Sequence, residues 1–230
     1  MPIPAQFLPS PLPAEPLSLA AVWLQEATRR RDQPNPNAMV LATADSTGQP
    51  SARVVLCKDI VVDPGYVSFY TNYLSHKGSE LAANPRAAIV MHWDHLHRQV
   101  RIEGHVVRAP ETDSDEYFST RPWQRRIGAW ASAQSQPVES RDELEAAVVA
   151  VAHRFGTPVP GPEDRSSDVE FRIPRPDHWG GYRVYATAVE LWVEGESRIH
   201  DRARWTRTLA PGAHGVPGAP QPWSVARLQP

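Results

Sequence analysis

The spacing of apolar residues changes period several times along this 230-residue chain. Residues 1–16 show no period and are rich in proline, which predicts an irregular, mobile segment. From Ser18 to about Arg31 the spacing turns helical, with Leu19, Trp23 and Ala27 on one face and Arg29, Arg30 and Arg31 at the end. Gln33-Pro34-Asn35-Pro36-Asn37 then breaks the helix. Ala38 to Ala44 and Ala52 to Lys58 read as two strands around the turn signal Asp45-Ser46-Thr47-Gly48, hence a hairpin. Tyr66 to Tyr70 is a third strand, and Ser75 to Ala83 a short helix stopped by Asn84-Pro85. Ala87 to Trp93 and Gln99 to Arg108 are strands joined by a short polar connection.

The middle of the chain is helical. Glu111 to Thr120 begins acidic, as a helix N-terminus favours. Arg121-Pro122 interrupts, and a further helical piece runs towards Ser132. Glu139 to Arg154 is amphipathic, with Leu144, Val148 and Val151 on one side. Residues 156–178 and 209–222 read as surface loops, and Gly181 to Trp192, Arg198 to Thr206 and Trp223 to Leu228 as strands. Hairpin-like strand order with helices between predicts a mainly β, α+β fold: an antiparallel barrel with a smaller helical subdomain. Residues 17–230 are read as one domain, its helical part at about 111–155.

Composition narrows the function. A net charge of −2 creates no global field for nucleic acid, so any anion site must be local. The single cysteine, Cys57, excludes a disulfide within the chain and suits a reducing, cytoplasmic setting. The N-terminal stretch has neither the basic start of a signal peptide nor the apolar length of a membrane span. No GxGxxG or Walker loop supports a nucleotide fold of those kinds, and no ligand spacing supports a metal site.

Candidate chemistry lies in five runs. Arg53-Val54-Val55-Leu56-Cys57-Lys58 brackets an apolar strand with two cations. A guanidinium can grip a phosphate through two parallel hydrogen bonds, while an ammonium acts as a point charge. Two solvated strand ends would give the same pattern. Tyr70-Thr71-Asn72-Tyr73-Leu74-Ser75-His76-Lys77 places hydroxyls and a lysine at a helix start, where free N–H groups favour anions or an ordinary cap. Gln99 can both donate to and accept from a heterocycle edge. Tyr117 to Pro122 and Ile127 to Ser135 mix Tyr, Arg and small hydroxyls, with Arg125 and Arg126 between them and Trp130 as an aromatic that core packing would also explain. In Arg198-Ile199-His200-Asp201-Arg202, an extended backbone would put Arg198, His200 and Arg202 on one face, as an anion site or a solvated edge.

Taken in order, the blocks RVVLCK, FYTNYLSHK, RQVRIEG, YFSTRP, IGAWASAQS, WGGYRV, VELWVEGESRIHDR and RLQP resemble the pyridoxine/pyridoxamine 5′-phosphate oxidase family, from about Leu17 to Pro230. The resemblance implies an FMN-binding split barrel and a homodimer with FMN at the subunit interface. It implies oxidation of pyridoxine or pyridoxamine 5′-phosphate to pyridoxal 5′-phosphate, with O2 reduced to hydrogen peroxide. By resemblance, Arg53 and Lys77 hold the FMN phosphate, with Thr71 and Ser135 as hydroxyl donors. Val54, Val55, Leu56, Cys57, Lys58 and Tyr70 line the flavin, and Gln99, Gln134, Trp192 and Arg202 complete the set, which also takes in Ser75 and His76. Lys58, Tyr117 and Arg121 meet the substrate phosphate, and Arg198 and His200, the catalytic pair, lie over the pyridine ring. Two phosphates carry about four negative charges, which such a set of cations offsets.

Three positions depart from the family pattern. Arg125 stands where a serine usually helps hold the substrate phosphate, and is itself a candidate phosphate ligand. The EFWQ signature reads Glu190-Leu191-Trp192-Val193, and the N-terminal segment lacks the basic residues of some members. Arg125 also leaves room for an FMN-dependent oxidase of another reduced ring, of the phenazine-pathway type. A flavin- or pyridoxal-phosphate-binding protein without turnover is the non-enzymatic alternative.

Overall fold

The computed structural model describes residues 7–161, 171–212 and 215–230. It contains five α-helices and nine strands among these residues: α1 Leu17–Arg30, β1 Ala38–Ala44, β2 Pro50–Leu56, β3 Asp59–Val61, β4 Tyr66–Asn72, α2 His76–Ala83, β5 Arg86–Trp93, β6 Arg98–Arg108, α3 Glu111–Ser119, α4 Trp123–Ala131, α5 Arg141–Phe155, β7 Trp179–Val193, β8 Asp201–Thr206 and β9 Ser224–Leu228. The strands form one sheet in the order β2-β1-β5-β6-β7-β4-β3, with β8 on β7 and β9 on β8. The paired strands whose register is described are antiparallel, and the fold is an antiparallel split barrel with helices, as expected.

The chain divides into two compact units. The first spans Met1–Phe69, Glu80–Val107 and Tyr182–Pro230, the second Tyr70–Ser79 and Arg108–Gly181. In the first, side-chain alternation sets the two faces of the sheet. Met39, Leu41, Ile89, Met91, Val100, Ile102, Leu191, Ala203 and Trp205 are buried on the inner face. Gln99, Arg101 and Glu103 have the opposite parity along β6 and are only half-buried. Helix α1 adds Leu17, Ala20, Trp23 and Ala27 to the core. No side chain caps it from the N-cap position, Pro16; Glu15 instead accepts from the Leu17 and Ser18 N–H groups. Residues 7–16 have no regular structure but are tied down: Leu8 is buried, its N–H donates to Asp201 at 2.8 Å, and Trp205 Nε1 donates to the Pro13 carbonyl at 2.8 Å. Of the Pro-rich segment expected to be mobile, residues 1–6 lie outside the described residues.

In the second unit the core gathers Trp123, Ile127 and Ile173, with Trp130, Val148, Val151, Phe155 and Phe171 against it. Trp130 is therefore a packing residue, its indole N–H satisfied by the Pro174 carbonyl at 2.8 Å. Leu144 is 38% exposed and does not share the buried side expected of it. Ser140 caps α5 through the Glu143 N–H, and Gly156 ends it in the left-handed conformation. Of the loop expected at 156–178, residues 162–170 lie outside the described residues, and of that at 209–222, residues 213–214 do.

Two differences bear on function. Strand β3 has only three residues, too few for a pattern to show. The expected strand Arg198–Thr206 starts at Asp201 instead: Glu196–Arg198 form a single tight turn, with Ser197 at φ 54° and Arg198 at φ 65°. Two residues in left-handed backbone break the alternation, so Arg198 does not share a strand face with Arg202.

Gly104, on the inner face of β6, permits a close backbone approach: a Cβ there would lie 2.1 Å from the Tyr185 carbonyl oxygen. Gly104→Ala is expected to destabilise the protein by about 3 kcal/mol, the upper end for overpacking. A fall in the urea unfolding midpoint checks this, and an unchanged midpoint would show that the strands part freely.

Candidate active site

In the first unit Arg53 points inward, with the parity of Ser51, Val55 and the buried Cys57, while Val54 is 65% exposed. Its guanidinium is engaged by the protein itself. It forms a 3.0 Å ion pair with the buried carboxylate of Glu80, donates to the hydroxyls of Thr43 and Ser51, and reaches the Leu41 carbonyl at 3.3 Å. Sequence reasoning singled out Arg53 but not Glu80, which is 27 residues away and buried at 4% exposure. Leu56 ends β2 half-buried, and the Lys58 N–H donates to the Ser68 carbonyl at 2.9 Å, joining this stretch to β4.

Cys57 is 1% exposed, and burial pushes its thiol up to about 12, with Asp59 adding to the shift. A thiol held protonated in this way is neither nucleophile nor redox centre. Cys57 is therefore expected to resist thiol reagents at pH 8 in the native protein and to react once urea is added. Stoichiometric labelling of the folded protein would contradict its burial.

Also in the first unit, Gln99, Trp192 and Arg202 belong to one sheet face. Trp192 pairs with Arg202 across β7 and β8, and the Trp192 and His200 rings lie 4.7 Å apart. The Gly195 N–H donates to His200 Nδ1 at 3.2 Å, so the neutral imidazole carries its proton on Nε2. Gly195 is itself constrained, since a Cβ there would meet the Ile199 carbonyl oxygen at 1.8 Å. Arg202 donates through Nε and Nη2 to Glu190, at 3.1 and 2.8 Å, and through Nη1 to the Gln229 carbonyl at 3.0 Å. Arg198 is exposed in its turn.

In the second unit a loop after β4 folds back on Asn72. The Asn72 side chain accepts from the Leu74 N–H at 2.8 Å, and its carbonyl accepts from the Ser75 hydroxyl at 2.7 Å. Gly78 is required in the first turn of α2, because a Cβ would lie 2.1 Å from the Tyr73 carbonyl oxygen. This loop delivers Lys77, 8% exposed, into a ring of oxygens: Thr71 Oγ1 and Ser75 Oγ at 3.1 Å and Gln134 Oε1 at 2.9 Å. Thr71 in turn donates to Gln134 Oε1 at 3.2 Å. Four of the residues marked out by sequence thus converge, although Gln134 is 57 residues from Lys77. A buried ammonium among hydroxyls beside a helix start can hold an anion such as a phosphate. Gln134, Ser135 and His76 are exposed, and Ser135 sits at φ 72°.

The second unit also stacks three aromatic rings. Tyr70 and Tyr117 are 4.1 Å apart, and Trp179, which sequence reasoning did not single out, lies 5.6 Å from Tyr70 and 6.2 Å from Tyr117. Arg121 lies over Trp179 at 4.6 Å. Burial lowers the pKa of its guanidinium; Tyr117 opposes that shift, while Arg125 and Arg126 add to it. Its Nη1 is buried, and no partner reaches it among the described residues. Arg125 is exposed, whereas Arg126 is 9% exposed with its Nε also lacking a partner among the described residues. Orphaned guanidinium donors in a cationic cluster fit an anionic ligand, which would satisfy them and offset the mutual repulsion.

Two solved structures share this fold over nearly the whole chain. PhzG from Burkholderia lata, solved with tetrahydrophenazine-1-carboxylic acid, matches with a TM-score of 0.76 at 28% identity, covering 95% of this chain and 94% of that one. A pyridoxamine 5′-phosphate oxidase-related, FMN-binding protein from Nostoc punctiforme matches in fold with a TM-score of 0.65 at 15% identity, covering 94% of this chain and 98% of that one. Residues 25–155 match the pyridoxamine 5′-phosphate oxidase family model, and residues 179–230 the pyridoxine 5′-phosphate oxidase C-terminal dimerisation region. Pyridoxine/pyridoxamine 5′-phosphate oxidase of Cupriavidus necator is 46% identical over 216 residues, 94% of this chain and 89% of that protein. The Paracoccus denitrificans protein of the same name is 43% identical over 94% of this chain and 95% of its own. The chain belongs to the pyridoxine/pyridoxamine 5′-phosphate oxidase family.

Proposed function

We propose that this protein is a cytoplasmic, homodimeric, FMN-dependent oxidase of pyridoxine 5′-phosphate and pyridoxamine 5′-phosphate, yielding pyridoxal 5′-phosphate. Beyond family membership, the observation that carries the phosphorylated substrate is the buried Arg121 Nη1 beside Tyr117 and Trp179, which has no partner among the described residues. The ring of Lys77, Thr71, Ser75 and Gln134 supports a second phosphate, that of FMN. The match of residues 179–230 to a dimerisation region supports the dimer. No described helix is long and apolar enough to cross a membrane.

When bound, FMN supplies the two-electron acceptor, with O2 as the final oxidant and hydrogen peroxide as its product. The chain's own residues bind and orient. Lys77 would neutralise the cofactor phosphate, and Arg202 would serve as a ligand of the flavin. Arg121, with Tyr117, would hold the substrate phosphate, so that substrate binding is not entrusted to the ring alone. His200 offers an Nε2–H to the pyridine ring, its tautomer set by the Gly195 N–H. Arg198 contributes charge from its turn, and Arg125 adds a cation near the substrate phosphate in place of the usual hydroxyl.

Purified protein is expected to be yellow and to release FMN, identified by its fluorescence and mass, on denaturation. A colourless protein with no affinity for added FMN would overturn the reading. The likeness to PhzG favours one alternative, an oxidase of a reduced ring without a phosphate. That alternative makes substrate phosphorylation irrelevant to turnover, whereas the proposed function requires it.

A further inference from the structure

The outer sheet face of the first unit carries an alternating chain of charges that ends on Arg202. Arg204 Nη2 lies 2.9 Å from Glu103, Arg101 Nη2 lies 3.5 Å from Glu103, Arg101 Nη1 lies 3.1 Å from Glu190, and Arg202 Nη2 lies 2.8 Å from Glu190. Glu190 is its buried link, with a side chain 5% exposed, while Arg101 and Arg202 are 40% and 25% exposed. A lone buried carboxylate would be costly, and here two guanidinium groups share it. The pairing with Arg202 is the two-pronged one, Nε and Nη2 both on Glu190 Oε1, and Nη1 is held by the Gln229 carbonyl. All three nitrogens of Arg202 are thus engaged by the protein. Of five N–H donors in a guanidinium, the described residues use three, which leaves one on each terminal nitrogen for a ligand. A planar fork fixed at both ends loses little freedom when a ligand arrives.

We propose that Glu190 is a positioning residue for the cofactor: it fixes the plane of Arg202, so that the two remaining donors meet the flavin without reorganisation. Arg101 gives the buried Glu190 carboxylate a second partner, and the Gln229 carbonyl closes the other side of Arg202. This rests on the reading of Arg202 as a flavin ligand. Positioning and charge make opposite predictions for Glu190→Gln. If Glu190 merely screened Arg202, its neutralisation would leave a stronger cation and tighten binding of an anionic cofactor. If it orients Arg202, binding weakens.

The test is a double-mutant cycle on the full-length protein stripped of cofactor and titrated with FMN, read by quenching of flavin fluorescence. Glu190→Gln is expected to raise the FMN Kd about tenfold in the wild-type background and to change it less than twofold in an Arg202→Ala background. Equal effects in both backgrounds would reduce Glu190 to a general structural role, and an unchanged or lower Kd in the single variant would overturn the proposal outright. If Glu190→Gln does not fold by circular dichroism, Glu190→Asp enters the same cycle, keeping the buried charge while shortening its reach. Loss of affinity in that variant, absent in the Arg202→Ala background, supports positioning; full affinity refutes it. Failure of the wild-type protein to bind FMN at all would sink the underlying reading instead, so the two failures are distinguishable.

Discussion

Lys77→Met is expected to weaken FMN binding about 30- to 150-fold, the equivalent of about 2–3 kcal/mol for a hydrogen bond to a charged group. Methionine keeps the length and apolar stem of lysine but removes the ammonium that Thr71, Ser75 and Gln134 surround. The ring of oxygens then faces the incoming phosphate with hydroxyls and the α2 N-terminus alone. Thr71→Val should cost less, about tenfold, because it removes one neutral donor and leaves the charge. Fluorescence titration with FMN checks both, and riboflavin, which lacks the phosphate, should bind wild type and Lys77→Met alike. Equal losses for FMN and riboflavin would show that Lys77 supports the fold rather than the phosphate.

Arg121→Met is expected to raise KM for pyridoxine 5′-phosphate about 100-fold while FMN stays bound. Methionine retains packing against Trp179 and Phe118, so the loss reports on the guanidinium. Arg121→Lys should recover only part of the affinity, since an ammonium is not the planar, bidentate donor that phosphate matches. Binding of an anion would also restore Arg121 towards its ordinary pKa by offsetting the burial that lowers it. Steady-state kinetics at fixed pH measure the effect. A fall in kcat with KM unchanged would place Arg121 at the reacting atoms instead, and loss of bound flavin would assign it to the cofactor.

Much of this architecture can be read from local pattern. The β1–β2 hairpin follows from Asp45 to Gly48: the Asp45 side chain accepts from the Thr47 and Gln49 N–H groups, and Gly48 takes φ 90°. β6 shows in its strict alternation of buried and half-buried residues. The Arg198–Arg202 run marks where pattern reading fails. Its residues suit a strand, but Gly195 and the left-handed Ser197 and Arg198 make a turn, and backbone of that kind leaves little trace in hydrophobic period. The candidate site residues stood out by chemical type, and the family resemblance suggested a role for each. Their supports did not stand out, because they are distant in sequence. Glu80 meets Arg53 across 27 residues, and Glu190 meets Arg101 across 89. A buried carboxylate is recognised only once its cations are in place around it. Trp179, in turn, reads as an ordinary core aromatic until its stacking with Tyr70 and Tyr117 is seen.

The most direct test of the central claim is a paired turnover assay with FMN-loaded protein, following peroxide and aldehyde from pyridoxine 5′-phosphate and from unphosphorylated pyridoxine. Peroxide and pyridoxal 5′-phosphate are expected in equal amounts from the phosphorylated compound, with kcat/KM at least about 100-fold lower for pyridoxine, the share expected from the Arg121 contact. Equal turnover of the two compounds, or none of either by protein carrying FMN, would contradict it.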